Sequence, residues 1–316
     1  MKQSLSSLRK NHLRLLKFNG SIKVEKTFPK QAFMRLSNPK FITLFLLLWG
    51  GLLLSSNYTL NELVDYSLFT FLGSLGAIFA NSTGAGGGVV FIPMFTQLNF
   101  TEQQSVATSF AIQCFGMTAG AVTWWHHYKG EKTELRLWQG FKRIICVTAV
   151  ASVIGLSSVF SSQVNSPAAL HISFSWFSLL LGFFIIITIY LLKPHRERSQ
   201  LFFVDYIALV LIGLFGGAAT AWLSVGVGEL LVIYLLLRHF DISMAVAAAV
   251  IVSAITVWAA ITQVNSDVYW QVVLFAGPGA VLGGIFAKTV VTHLSATKLK
   301  LFFACWLLIS GIVGLN

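Results

Sequence analysis

Two glycine-rich stretches interrupt apolar runs of this chain. The first, NSTGAGGGVVFIP at 81–93, places four glycines in five positions, Gly84 to Gly88. The second, SVGVGE at 224–229, offers Ser224, Gly226, Gly228 and an acid, Glu229. Glycine permits a sharp turn and leaves the backbone N–H uncovered. A helix starting near Gly87 would aim free N–H groups and its positive dipole end at the space before it, which suits an anion. Ser82 and Thr83, beside Asn81, add neutral polar groups. Thr108, Ser109 and Gln113 sit on the following helix. At i, i+1 and i+5 they do not all share a face, so only one or two would reach the same place. The candidate anion ligands are therefore Ser82, Thr83, Gly86, Gly87, Gly88, Thr108, Ser109, Ser224, Gly226 and Gly228. The competing reading is that these glycines only let helices pack closely, as small residues do in membranes.

Glu229 is the only acid or base between Asp205 and Arg238. An acid at membrane depth usually faces a cavity or a partner. Coupling to a proton or another cation is one reading; capping the first turn of a short helix is the other. His126 and His127, with Trp124, Trp125 and Tyr128, end an apolar run beside a basic loop and read as an interfacial belt. Cys114, Cys146 and Cys305 have no metal-ligand spacing and read as packing residues. No pair of acids, nucleophile with a base, or set of histidines lies at comparable depth. The chain is therefore not expected to be an enzyme, nor to hold a cofactor or metal.

The elements that must position these residues follow from composition. Of 316 residues, 56% are hydrophobic and 10% charged, against about 25% charged in soluble domains. No Lys or Arg occurs from Phe41 to Tyr128, and no Asp, Glu, Lys or Arg from Ile144 to Leu192. About 20 apolar residues cross a bilayer as a helix. The expected fold is an all-α polytopic membrane protein. Apolar segments lie at 41–57, 66–82, 88–98, 104–125, 140–160, 170–192, 204–223, 229–238, 243–264, 270–291 and 297–315. Segments 88–98 and 229–238 would each reach only about half of a ~30 Å core.

Basic loops mark the cytoplasmic side: 129–143, 193–198 and 288–300, with the N-terminal tail 1–40, where ten of the 22 basic residues lie. That tail reads as an orienting, headgroup-touching segment rather than a nucleic-acid arm. Parity closes only if 66–98 begins and ends outside and 204–238 begins and ends inside. Each then dips into the membrane and returns.

The two dipping segments match at a fixed offset of 140: Gly73 with Gly213, Gly76 with Gly216, Gly86 with Gly226, Gly88 with Gly228, Phe100 with Phe240 and Val106 with Val246. Three spans separate the copies, so they lie inverted. Inverted repeats with interrupted helices are a design of secondary transporters, with the substrate near the midplane. The expected organisation is a cytoplasmic tail (1–40), a first span (41–57), repeat 1 (60–192), a linker (193–203) and repeat 2 (204–316).

GAGGGVVFIP with FTEQQSVATSFA in the first half, and TAWLSVGVGELLVIYLLL with GPGAVLGGIFAKTVVTHLSATKLKLFFACWLLISGIVGL in the second, resemble the TauE/SafE, or sulfite exporter, family over about 60–315. The resemblance implies a permease for sulfite, organosulfonates or other organic anions, in a bacterial inner membrane. Protons are a possible coupling ion, and the partners are the small anion and the bilayer. An anion channel or a carboxylate transporter are the alternatives. Two departures stand in the second copy: Glu229 follows the GxG, and no proline matches Pro93.

Overall fold

The structure is a computed structural model, which describes residues 39–56, 58–130, 137–162, 169–191, 198–293 and 296–315. The chain divides into residues 1–42, of which only the first turn of α1 is described, and a compact unit from Thr43 onward. The described residues form α1 (Pro39–Ser55), α2 (Leu60–Thr83), α3 (Gly88–Gln97), α4 (Glu102–Gly130), α5 (Phe141–Ser161) and α6 (Leu170–Leu191). They continue as α7 (Phe203–Leu223), α8 (Val227–Leu237), α9 (Ile242–Val264), a 3-10 turn at Asn265–Asp267, α10 (Trp270–His293) and α11 (Ala296–Val313). Seven of these, α2, α4, α5, α6, α7, α9 and α10, are long and apolar enough to cross a membrane. The chain is an all-helical integral membrane protein. The short α3 and α8, of 10 and 11 residues, each follow a break after a long helix.

Small residues dictate how the long helices pair. Gly73 of α2 lies on Ala276 of α10, and Gly279 and Gly283 of α10 lie on Thr70 and Ser74 of α2. The hydroxyls of Thr70 and Ser74 donate to the carbonyls of Phe275 and Gly279, at 2.9 and 3.0 Å. Both helices advance together, so they run parallel. The α5–α7 pair is built alike: Gly155 rests on Leu214, Gly217 on Ser152 and Gly213 on Ala151. Close backbone approach of this kind replaces the hydrophobic drive that lipid removes. In each pair the helix before a break packs on the fourth helix of the other half. Between these pairs lie α4 and α9, the most buried of the seven.

Each hairpin returns to the end it left. Tyr66, early in α2, shares a 3.2 Å hydroxyl hydrogen bond with Tyr269. Phe100, just after α3, meets the same Tyr269 edge-on at 5.4 Å. The α7–α8 hairpin closes on Asp205, in the first turn of α7. Tyr234 and Arg238, at the far end of α8, donate to its Oδ1 at 2.7 and 2.9 Å. Arg198 donates to Oδ2 at 2.7 Å. The 29-residue α4 starts at the Phe100 end and finishes near Trp138 and Gly140. Gly140 lies against Leu201, just ahead of α7. The two hairpins therefore open at opposite ends of the bundle.

The sequence offset of 140 recurs in the backbone. Among the described residues the left-handed non-glycine positions are Asn99 (φ 58°), Ser224 (φ 59°) and His239 (φ 61°), and Gly84 (φ 81°) is also left-handed. Asn99 and His239 end the two hairpins at equivalent positions. Gly84 and Ser224, equivalent likewise, cap α2 and α7.

Candidate functional site

The two breaks meet back to back. A methyl group on Gly88 would come within 2.6 Å of the Ser224 carbonyl oxygen, and one on Gly228 would run into the Gly84 carbonyl. Each short helix thus starts against the last carbonyl of the other hairpin's long helix. Glycine is needed at 88 and 228 because backbone passes where a side chain would stand. Gly226, at φ 150°, also needs glycine for its conformation.

The free N–H groups expected at the breaks are held by side chains. Gly86 N–H donates to Glu229 Oε1 at 2.9 Å, and Gly226 N–H to Glu229 Oε2 at 2.8 Å. One carboxylate therefore joins the breaks of both hairpins, at 1% exposure. Gly87 N–H donates to Gln113 Oε1 at 2.8 Å. The amide nitrogen of Gln113 donates to Ser109 Oγ at 3.0 Å and Ser224 Oγ at 2.8 Å. Ser224 Oγ donates to Ser109 Oγ at 2.9 Å. This network holds Ser224 in a left-handed conformation that L-residues otherwise avoid by about 1–2 kcal/mol. Val227 N–H donates to Thr220 Oγ1 at 3.1 Å.

Of the sequence candidates, Gly86, Gly87, Gly88, Ser109, Ser224, Gly226, Gly228 and Glu229 come together here. Ser82 and Thr83 line the end of α2, but their hydroxyls donate to the Phe79 carbonyl. Thr83 Oγ1 also accepts from Ala85 N–H. Thr108 turns away and accepts from Tyr269 N–H at 3.0 Å. Gln113, weighed in the sequence beside Thr108 and Ser109 but not counted among the candidate ligands, is a ligand of the break. Its i, i+4 relation to Ser109 is the available signal. Ser253, the counterpart of Gln113 in the second repeat, is missed as well. It is 4% exposed, and its Oγ has no hydrogen-bond partner among the described residues.

Two interfacial readings change. Trp124 is fully buried and its indole N–H donates to the Asn81 carbonyl at 3.1 Å, so it pins the end of α2. His127 packs edge-on against Trp124 and is buried too. Lys288, read as part of a basic loop, lies within α10 at 8% exposure. Cys146 and Cys305 are exposed and Cys114 is buried, all as free thiols. Among the described residues no group of three His, Cys, Asp or Glu could hold a metal.

Paired broken helices buried in an apolar bundle are a design that membrane transporters use. A family model described as Sulfite exporter TauE/SafE matches residues 69–313, and the chain belongs to that family. No curated protein and no solved structure gives a significant match.

Proposed function

We propose that this chain is a secondary permease for small anions, sulfur oxyanions such as sulfite or organosulfonates first among them. They would bind where the glycine breaks of two inverted repeats meet. The observation that carries this reading is the Glu229 carboxylate, held at once by N–H groups of both breaks. A site that holds one oxyanion by backbone N–H groups from both halves has the donors to hold another. It sits where inverted-repeat transporters bind substrate. Burial of every ligand favours a carrier that alternates over an open channel. Glu229 would carry the coupling proton, since an ionised side chain beside an anion in low dielectric is disfavoured twice.

The orientation proposed puts the N-terminus and the Asp205 end in the cytoplasm of a bacterial cell. The test of function is uptake of sulfite, sulfate, taurine and small carboxylates by proteoliposomes of the pure protein. Saturable, counterflow-stimulated uptake of sulfur anions supports the reading. Unsaturable flux would make it a channel. The orientation is tested in whole cells lacking Cys114, Cys146 and Cys305. Cysteines at Asn61 and Asn265 should react with an impermeant thiol reagent, whereas one at Lys132 should not.

A further inference from the structure

Glu229 is more than a cap for α8. A cap needs bonds only within its own helix, as Asp241 makes to Met244 N–H at 2.7 Å. Glu229 gives one oxygen to its own break and the other to Gly86, in the opposite half of the chain. Its repeat-equivalent is Val89, so no matching acid stands in the first hairpin. Gln113, by contrast, has Ser253 as its equivalent. Gln113 satisfies Gly87 and Ser224. Ser253 reaches the start of α8, where its Oγ would lie 2.5 Å from a methyl on Gly228. Yet that hydroxyl is buried with no hydrogen-bond partner among the described residues. Buried hydroxyls without partners are uncommon and ask for a reason. The donors at this junction are thus of two kinds: N–H groups already on a tethered carboxylate, and a hydroxyl against the neighbouring Gly228, on nothing.

We propose that Glu229 is the resident anion of the site: its carboxylate sits where a substrate oxyanion sits, the substrate displaces it, and Ser253 donates to a second oxygen of the incoming anion. This rests on the reading of the chain as an anion carrier. Displacement frees two converging N–H groups, those of Gly86 and Gly226. These suit two oxygens of a sulfite or sulfonate, with Ser253 adding a third donor. While Glu229 stays seated, it ties the two hairpins together, so the unloaded carrier is held closed. When substrate takes its place, the tie between hairpins is no longer covalently anchored to α8 and the two can part. The groups around the carboxylate are backbone amides, and Gln113, Ser109, Ser224 and Ser253 nearby are uncharged. Competition is therefore between one anion and another for the same donors.

Calorimetric titration of the full chain in nanodiscs tests this, with sulfite and acetate as the probes. Acetate matches the group removed in Glu229→Ala. The parent protein should bind sulfite and not acetate. Glu229→Ala should bind sulfite at least tenfold more tightly and acetate as well, each excluding the other. Glu229→Gln, which keeps the shape but sets an amide NH2 against a backbone N–H, should also bind sulfite more tightly, and it carries the test if the alanine variant fails to fold. Ser253→Ala should weaken sulfite binding about tenfold with an unchanged unfolding temperature, because its hydroxyl bonds to nothing in the resting protein. Unchanged or weaker sulfite binding in folded Glu229 variants would overturn the proposal, as would acetate and sulfite binding independently. Parent and variants all failing to bind any sulfur anion would sink the carrier reading itself, a separate outcome.

Discussion

The two hairpins share one backbone and close by different chemistry. Both have a left-handed cap at equivalent repeat positions, a glycine where the other hairpin's carbonyl passes, and a short helix returning to the mouth. In α2–α3 the groups supplied by the first half of the chain are neutral, although Gly86 of its break also donates to Glu229. Gln113 holds the break from α4, and at the mouth Phe95 stacks on Phe100 at 4.9 Å while Tyr66 reaches Tyr269. In α7–α8 they are charged: Glu229 at the break, and at the mouth Asp205 between Arg198 and Arg238. If the carrier reading holds, the shared backbone would suit either hairpin to act as a gate. The asymmetry lies at the mouths: opening the second separates Asp205 from Arg198 and Arg238, while opening the first separates rings and hydroxyls, and either parts Gly86 from Glu229 if the breaks move apart. On the proposed reading, the second hairpin is where a proton or an anion would change the balance.

The largest effect should come from the feature the hairpins share. Gly88→Leu and Gly228→Leu each push a side chain into the facing carbonyl, and overpacking at backbone costs about 1–3 kcal/mol or more. Both should abolish uptake and lower the unfolding temperature in detergent. Gly76→Ala meets only the ring of Phe91, the end of a side chain that can shift, and should keep most activity. If Gly88→Leu transports normally and Gly228→Leu does not, the crossing of the breaks is not a common element.

Asp205→Ala sharpens the contrast between mouths. Asp205 is fully buried and accepts from Arg198, Arg238, Tyr234 and Phe202 N–H. Its loss leaves two guanidinium groups together. A broken buried pair costs about 3–5 kcal/mol, and the partial exposure of both arginines, 19% and 38%, sets the expectation near the low end. Thermal unfolding would show a shift of several degrees.

Glu229→Gln tests the charge at depth rather than stability. A glutamine cannot take up or release a proton, so acceleration of uptake by a pH gradient should vanish. Anion–anion exchange, which needs no net proton movement, should remain. Concentration of substrate on a proton gradient as strong as that of the parent would make Glu229 uninvolved in coupling.

Much of this architecture is legible in the sequence because its cause is local. Glycines, an isolated acid and runs without charge each declare themselves, and the repeat offset links them. The site is legible as a place more than as a set of bonds. That Glu229 meets Gly86 depends on two breaks from opposite halves of the chain lying back to back. Sequence reasoning sees N–H groups open to a cavity, and the folded chain spends them on Glu229 and Gln113. Gln113 is weighed in the sequence with Thr108 and Ser109 but left out of the candidate ligands; in the fold it pairs with Ser109, whereas Thr108 faces Tyr269. Trp124 and Lys288 read as interfacial from their type, although both lie inside the apolar segments 104–125 and 270–291; that each is buried follows from helix packing that the sequence does not announce. Arg198 and Arg238 look like loop charges, and only closure of the hairpin brings Asp205 between them.

The smallest effect should come from the neutral mouth. Tyr66→Phe removes one 3.2 Å hydroxyl pairing with Tyr269 and keeps the ring, which stacks on Phe275 at 5.3 Å. Tyr269 is only partly buried, so water can replace the lost partner. The cost should be about 0.5–1.5 kcal/mol, and it should not vary with salt, unlike that of Asp205→Ala. The two mouths lie at opposite ends of the bundle, where stability effects add within about 0.5 kcal/mol. The double variant should therefore unfold with the sum of the two losses. Transport should behave otherwise. If one mouth must close before the other opens, loosening both lets the carrier leak in a way neither single change does. Additive stability with a non-additive uptake rate is the expected result. Additivity in both would mean the mouths open independently, and the comparison between them would describe two seals with no exchange between them.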